Sequence, residues 1–167
     1  MNPLKKGILN FLTTQRIRKI STREIRGYLE ASTIGIIINV NDNQSHVDHL
    51  VSSIRLEGKT PVVINVDPSG IKQGKNDFPS VGKKDISFFG AFKSQHLIHF
   101  LSKNYDFLLV LDHQVDTIIK YIAANCRTAC RVGFDEYPND FLDLQIKPDK
   151  KRELEDVLKY MRMISNG

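Results

Sequence analysis

The stretch Asn104–Glu136, NYDFLLVLDHQVDTIIKYIAANCRTACRVGFDE, reads as strand, helix, strand. DFLLVLD is apolar on successive residues, as a strand must be when both of its faces are covered, and it ends at the polar pair Asp112-His113. VDTIIKYIAAN follows as a helix with Ile118, Ile119 and Ile122 directed inward. CRVGF is a second apolar run, with Gly133 near its end. Two buried strands joined by one helix make a βαβ crossover, and such a crossover joins parallel strands. That unit decides the fold class.

Working outward, the alternation continues in both directions. TIGIIIN is a buried strand ending in the polar turn NVNDN, and Val47, Leu50, Val51 and Ile54 have the i, i+3, i+4, i+7 spacing of a helix stopped by Gly58. TPVVINV is a second buried strand, followed by a long loop from Asp67 to Asp85 that carries three glycines, two prolines and four lysines. ISFFG reads as a third short strand, KSQHLIHFLS as a helix, and DLQIK as a last strand. DKKRELEDVLKYMRMI closes the chain as a helix capped by Asp149, with Leu154, Val157, Leu158 and Met161 as its apolar stripe. The expected fold is α/β: a three-layer, Rossmann-like domain with a mostly parallel sheet of about six strands and helices on both faces.

Charge is unevenly placed along this chain of net +5. Residues 1–26 hold Lys5, Lys6, Arg16, Arg18, Lys19, Arg23 and Arg26 against Glu24 alone, a net +6 that leaves residues 27–167 at −1. A basic segment joined to a neutral body predicts an acidic partner for that segment. Leu4, Ile8, Phe11 and Leu12 fall on one helical face after Pro3, so the segment reads as an amphipathic helical arm, with a possible second turn around TREIRGYL. The expected division is a basic arm, residues 1–31, and one α/β domain, residues 32–167. The seven cations are the expected polyanion-binding residues, and nucleic acid, a ribonucleoprotein or an anionic membrane surface all qualify as partners. The alternative is that the apolar stripe docks on the body while the charges are solvated.

At 167 residues the chain is long enough to bury roughly 70% of its unfolded surface without a covalent staple. Two cysteines, Cys126 and Cys130, in apolar or small surroundings read as buried hydrophobes rather than as a disulfide framework, which fits a reducing cytoplasm. No apolar run reaches the length of a membrane span, and the amino terminus lacks the features of a cleaved leader.

The first-quoted stretch resembles the Tyr-Asp, apolar run, Asp-x-Gln, helix, Arg-x-Gly-Phe segment of the amino-terminal domain of heptosyltransferase-type glycosyltransferases. Over more of the chain, IGIIIN, YDFLLVLD, RVGFD, FLDLQIKP and LEDVLKYM are similar to an uncharacterised bacterial family of about this length, known from the Bacteroidota. The first resemblance implies a sugar-nucleotide or other small-molecule site, although those enzymes hold the sugar nucleotide on a second domain. The second implies the fold and no activity.

The remaining candidates sit where parallel strands end, the usual ligand crevice of such sheets. Asn41, Asp67, Asp112, His113, Gly133 and Asp135 form the candidate rim pocket, with the pairs His46/His49 and His96/His99 near the starts of two helices on that edge. The turn after the first strand has no glycine, and GIKQGK lacks the phosphate-loop spacing, so no nucleotide cofactor is expected. No metal motif such as H-E-x-x-H and no nucleophile elbow is present, and no catalytic residue or metal ligand is assigned. Asp112 is read as the cap of the helix starting near Val115, and Gly133 as a position needing positive φ or a close backbone neighbour.

Overall fold

Asn2 and Pro3 start the first element. The Asn2 Oδ1 accepts from the Leu4 N–H at 2.9 Å, and Pro3 opens the helix where a missing N–H costs nothing. This helix, α1, spans Pro3–Arg18. The structure, a computed structural model, describes residues 1–18, 27–39, 44–67, 77–112, 116–134, 141–147 and 153–164. Its further elements are β1 (Thr33–Asn39), α2 (Gln44–Leu56), β2 (Thr60–Asp67), β3 (Ser80–Gly82), α3 (Gln95–Ser102), β4 (Asn104–Leu111), α4 (Thr117–Asn125), β5 (Arg127–Phe134), β6 (Leu144–Ile146) and α5 (Glu153–Arg162). Short 3-10 turns lie at Tyr28–Glu30 and Lys83–Asp85.

The six strands form one sheet in the order β3-β2-β1-β4-β5-β6, and every neighbouring pair is parallel. The chain winds from β1 outward to β3, then returns to lay β4 on the free edge of β1 and winds outward the other way. Strands buried on both faces need apolar residues at consecutive positions, and Ile34, Gly35, Ile36, Ile37 and Ile38 are all buried. Alternate residues feed two cores. Ile34, Ile36, Ile38, Leu109 and Val132 meet α2 and α5 on one face, while Ile37, Ile64, Leu108 and Val110 meet α3, α4 and α1 on the other. The α/β, three-layer, Rossmann-like expectation holds.

Three elements differ from the sequence reading. The third strand is Ser80–Gly82, inside the stretch read as loop, and ISFFG instead forms a tight turn framed by a single antiparallel bridge between Ile86 and Phe92. Edge strands pair on one side only, so a three-residue strand next to Pro79 suffices there. The cap of α4 is Asp116, whose Oδ1 accepts from the Ile118 N–H at 2.8 Å, and not Asp112. Finally, the buried side of α1 is offset from the expected stripe of Leu4, Ile8, Phe11 and Leu12: Leu12 packs on the core, but beside Leu9 and not beside Leu4 and Phe11. Leu9 is fully buried and Thr13 nearly so, while Leu4 and Phe11 are each 63% exposed. The Thr13 hydroxyl tolerates burial because it donates to the Leu9 carbonyl at 2.8 Å.

The opposite face is fastened at Tyr28. Its side chain is buried, its hydroxyl donates to Glu57 Oε2 at 2.7 Å, and Glu57 also pairs with Arg162 of α5. Lys59, almost fully buried, donates to the carbonyls of Tyr28 and Ala31 at 2.7 and 2.9 Å and lies 4.5 Å from the Tyr28 ring centre. Val157, Leu158 and Met161 of the predicted α5 stripe are buried; Asp149 and the Leu154 side chain lie outside the described residues.

Candidate functional site

Where the winding reverses, between β1 and β4, the carboxyl ends of the strands diverge and leave the crevice in which open α/β sheets bind ligands. Two side chains meet there: Asn39 Nδ2 donates to Asp112 Oδ2 at 3.3 Å. Asp112 is buried at the end of β4, and Asp67 is buried at the end of β2. Asn65, two residues earlier, is 1% exposed, and neither its amide nitrogen nor its oxygen has a hydrogen-bond partner among the described residues. By strand alternation Asn65 and Asp67 share the α2 and α5 face, and Asn39 the other. The described polar groups of this edge are therefore divided between two faces.

Of the rim residues expected from sequence, Asp67, Asp112 and Gly133 are placed, and Asn41, His113 and Asp135 lie outside the described residues. Gly133 does not have positive φ, but a Cβ there would stand 2.8 Å from Leu142 Cδ1 and 3.1 Å from the Val110 carbonyl oxygen. Its close neighbours are packing and backbone. His46 and His49 are exposed on α2, and His96 and His99 are exposed on α3, helices that cover opposite faces of the sheet. Among the described residues no group of three or more His, Cys, Asp or Glu is gathered as a metal site would require. Cys126 and Cys130 are both buried, and burial pushes each thiol up to about 12.

The basic face is built differently. Helix α1 contains no acidic residue and lies along α4, with Leu9 in the core that α4 shares. Lys5 is half-buried and donates to the carbonyls of Lys83 and Ile86 at 2.9 and 2.6 Å, so it ties the helix to the segment before α3. Burial, and then the charge of Lys93, lower its pKa. Lys6 and Arg16 are exposed, and Arg16 is close enough to Tyr121 of α4 to oppose the upward push that burial gives that phenol. Arg18 closes α1; its side chain, and Lys19, Arg23 and Arg26, lie outside the described residues.

Sequence reading missed two features. The first is the turn at Phe88-Phe89, whose signal was the glycine that follows the aromatic pair. Phe89 is 79% exposed and Phe88 37%, and Gly90 has φ +87°, which ends the aromatic pair in a turn rather than a strand. The second is Arg131, fully buried within β5, which no local pattern distinguishes from a solvated arginine.

Comparison with known proteins gives a family and nothing finer. A model described as a family of unknown function (DUF6913) matches residues 5–164. Neither a search of curated proteins nor one of solved structures finds a match.

Proposed function

The chain belongs to this family of unknown function, and from that premise we propose that it is a non-enzymatic binding protein whose basic arm, residues 1–31, contacts a phosphate-bearing polyanion while the α/β body, residues 32–167, carries it. One observation carries the reading: a helix free of acidic residues is held on a rigid body by its buried side, which keeps Lys6 and Arg16 in a fixed array. Lys5 contributes one remaining N–H, and Arg18, Lys19, Arg23 and Arg26 complete the seven cations of the arm in sequence. RNA, a ribonucleoprotein and a membrane surface present the same phosphate chemistry. Buried free thiols at Cys126 and Cys130 are consistent with a reducing, cytoplasmic setting.

The test is retention on heparin as a function of salt. Replacing Lys6 and Arg16 together by Glu should leave the circular dichroism unchanged and weaken retention, with the slope of log affinity against log salt reduced by about two. Unchanged elution would remove the basis of the proposal.

A second reading is favoured by the Asn39–Asp112 hydrogen bond at the point where strand order reverses. It is a small-molecule or sugar-nucleotide site at the carboxyl edge, drawn from Asn41, Asp67, Asp112, His113, Gly133 and Asp135. A thermal-shift screen of sugar nucleotides tests it: a shift abolished by Asp112→Asn supports it, and no shift with any of them removes it.

A further inference from the structure

The turn that joins Ile86 to Phe92 is stiff. The Ser87 N–H donates to the Ala91 carbonyl at 2.8 Å, the Gly90 N–H to the Ser87 carbonyl at 3.2 Å, and the Ala91 N–H to Ser87 Oγ at 2.8 Å. It is also fastened from below. The Tyr121 hydroxyl donates to the Gly90 carbonyl at 2.8 Å, and the Tyr121 and Phe92 rings stack with centres 5.4 Å apart. A Cβ on Gly90 would stand 2.8 Å from Leu12 Cδ1, so α1 passes directly alongside. A rigid support thus holds two phenylalanines out in water, an arrangement that costs solvation free energy unless something covers them.

The apolar surface does not stop at the turn. Leu4, Ile8 and Phe11 lie on the flank of α1 next to Leu12, and Leu4 and Phe11 are as exposed as core-type side chains rarely are. Cations flank the aromatic pair in the chain. Lys83 and Lys84 precede it, Lys93 follows it, and Lys5 of α1 reaches the carbonyls of Lys83 and Ile86. Asp85 is the one acidic residue in the segment Lys83–Lys93, and its carboxylate accepts from the Gly82 N–H at 2.8 Å. Exposed aromatic and aliphatic groups flanked by lysines complement hydrocarbon beneath anionic headgroups.

We propose that this face docks on an anionic lipid bilayer, with Phe88 and Phe89 entering the headgroup boundary and Lys83, Lys84 and Lys93 meeting lipid phosphates. The proposal rests on the polyanion reading above and names the partner. Nucleic acid fits the same face less well. The two rings stand edge to face, 81° apart with centres 5.5 Å apart, so they do not offer parallel platforms to successive bases, and Leu4 offers none.

The experiment is co-sedimentation of the full chain with phosphatidylcholine vesicles, with and without phosphatidylglycerol, beside heparin retention and binding to a structured RNA. The wild type should pellet with the anionic vesicles only, and less at high salt. The Phe88→Ser, Phe89→Ser double variant should keep its melting curve and its heparin elution while its vesicle affinity falls at least about tenfold. Vesicle binding by that variant equal to wild type overturns the proposal. So does retention on heparin with no vesicle binding by the wild type, which leaves the polyanion reading standing; failure on both removes both. Loss of RNA affinity parallel to the loss on vesicles overturns it in favour of base stacking. A wild-type dimer that the double variant dissolves, with vesicle binding unchanged, overturns it in favour of a second copy of the chain.

Discussion

Arg131 is the largest side chain that β5 withdraws from water, and its surroundings show why a charge is tolerated there. Its Nε donates to the Ala123 carbonyl at 3.3 Å and its Nη2 to the Cys126 carbonyl at 3.5 Å, at the carboxyl end of α4 where the helix dipole is negative. Asp143 stands 3.7 Å from Nη1 and also accepts from the Arg131 N–H at 2.7 Å. Arg131→Ala should lower the unfolding free energy by about 3 kcal/mol in a urea titration, because it leaves a cavity and takes the guanidinium from the buried carbonyls and from Asp143; Arg131→Met, which refills the volume, should cost less. The thiols give a pH prediction. Each is neutral when folded, and burial holds it near 12, against an unfolded value of about 8.5. Their stabilising contribution is complete below the unfolded value and is lost as pH climbs from there through 12, because the unfolded chain releases those protons first. A Cys126→Ala, Cys130→Ala variant should therefore show a flatter decline of stability over that alkaline window. At this scale the sequence was legible where chemistry is local: buried cysteines and a crowded Gly133 followed from residue type. Arg131 was not, since its partners come from α4 and from Asp143, twelve residues on.

For whole elements, legibility depended on how much of the determining contact lay inside the element. Helices α2 and α4 were readable because Val47, Leu50, Val51 and Ile54, and Ile118, Ile119 and Ile122, leave one apolar face each, and all are buried. Strand β3 was hidden because its three residues gain their structure from β2 alone, through pairs such as Asn65 with Ser80 and Asp67 with Gly82. Helix α1 was readable as a helix but not in its rotation. Leu4, Ile8, Phe11 and Leu12 offered one face, and α4 together with the carbonyls that receive Lys5 kept only its Leu12 side, adding Leu9 and leaving Leu4 and Phe11 exposed. This yields a contrast of paired substitutions. Leu9→Ala should cost about 2–3 kcal/mol in chemical denaturation, whereas Phe11→Ser should stay within about 0.5 kcal/mol, although Phe11 is the larger and more apolar residue. Equal costs would contradict the observed rotation. The same logic explains the rim: Asp112 was placed at the right edge, yet the cap role went to Asp116 because α4 begins later than its pattern suggested.

Across the whole molecule, the alternation of strand and helix was enough to foresee a parallel sheet with both faces covered, whereas the site was not readable because its groups are divided between faces and surfaces that only the winding brings into position. The docking of α1 also qualifies the separation of arm from body. Removing residues 1–18 uncovers the side of α4 that receives Leu9, Leu12 and Ile17. The truncated chain should still fold, because the whole parallel sheet and the helices α2 to α5 of the described residues remain, but it should melt about 10 °C lower and bind more of a hydrophobic dye. A melting point equal to that of the full chain would show that α1 contributes nothing to the body. The contact between α1 and α4 has a temporal side as well. Leu9 leaves the ribosome about a hundred residues ahead of the helix it packs against, and at about 5–20 residues per second that is a wait of roughly 5–20 s. During that interval the nascent chain carries Leu9 without the α4 residues that cover it in the folded protein. Helix α1 is thus made well before the helix that completes its packing.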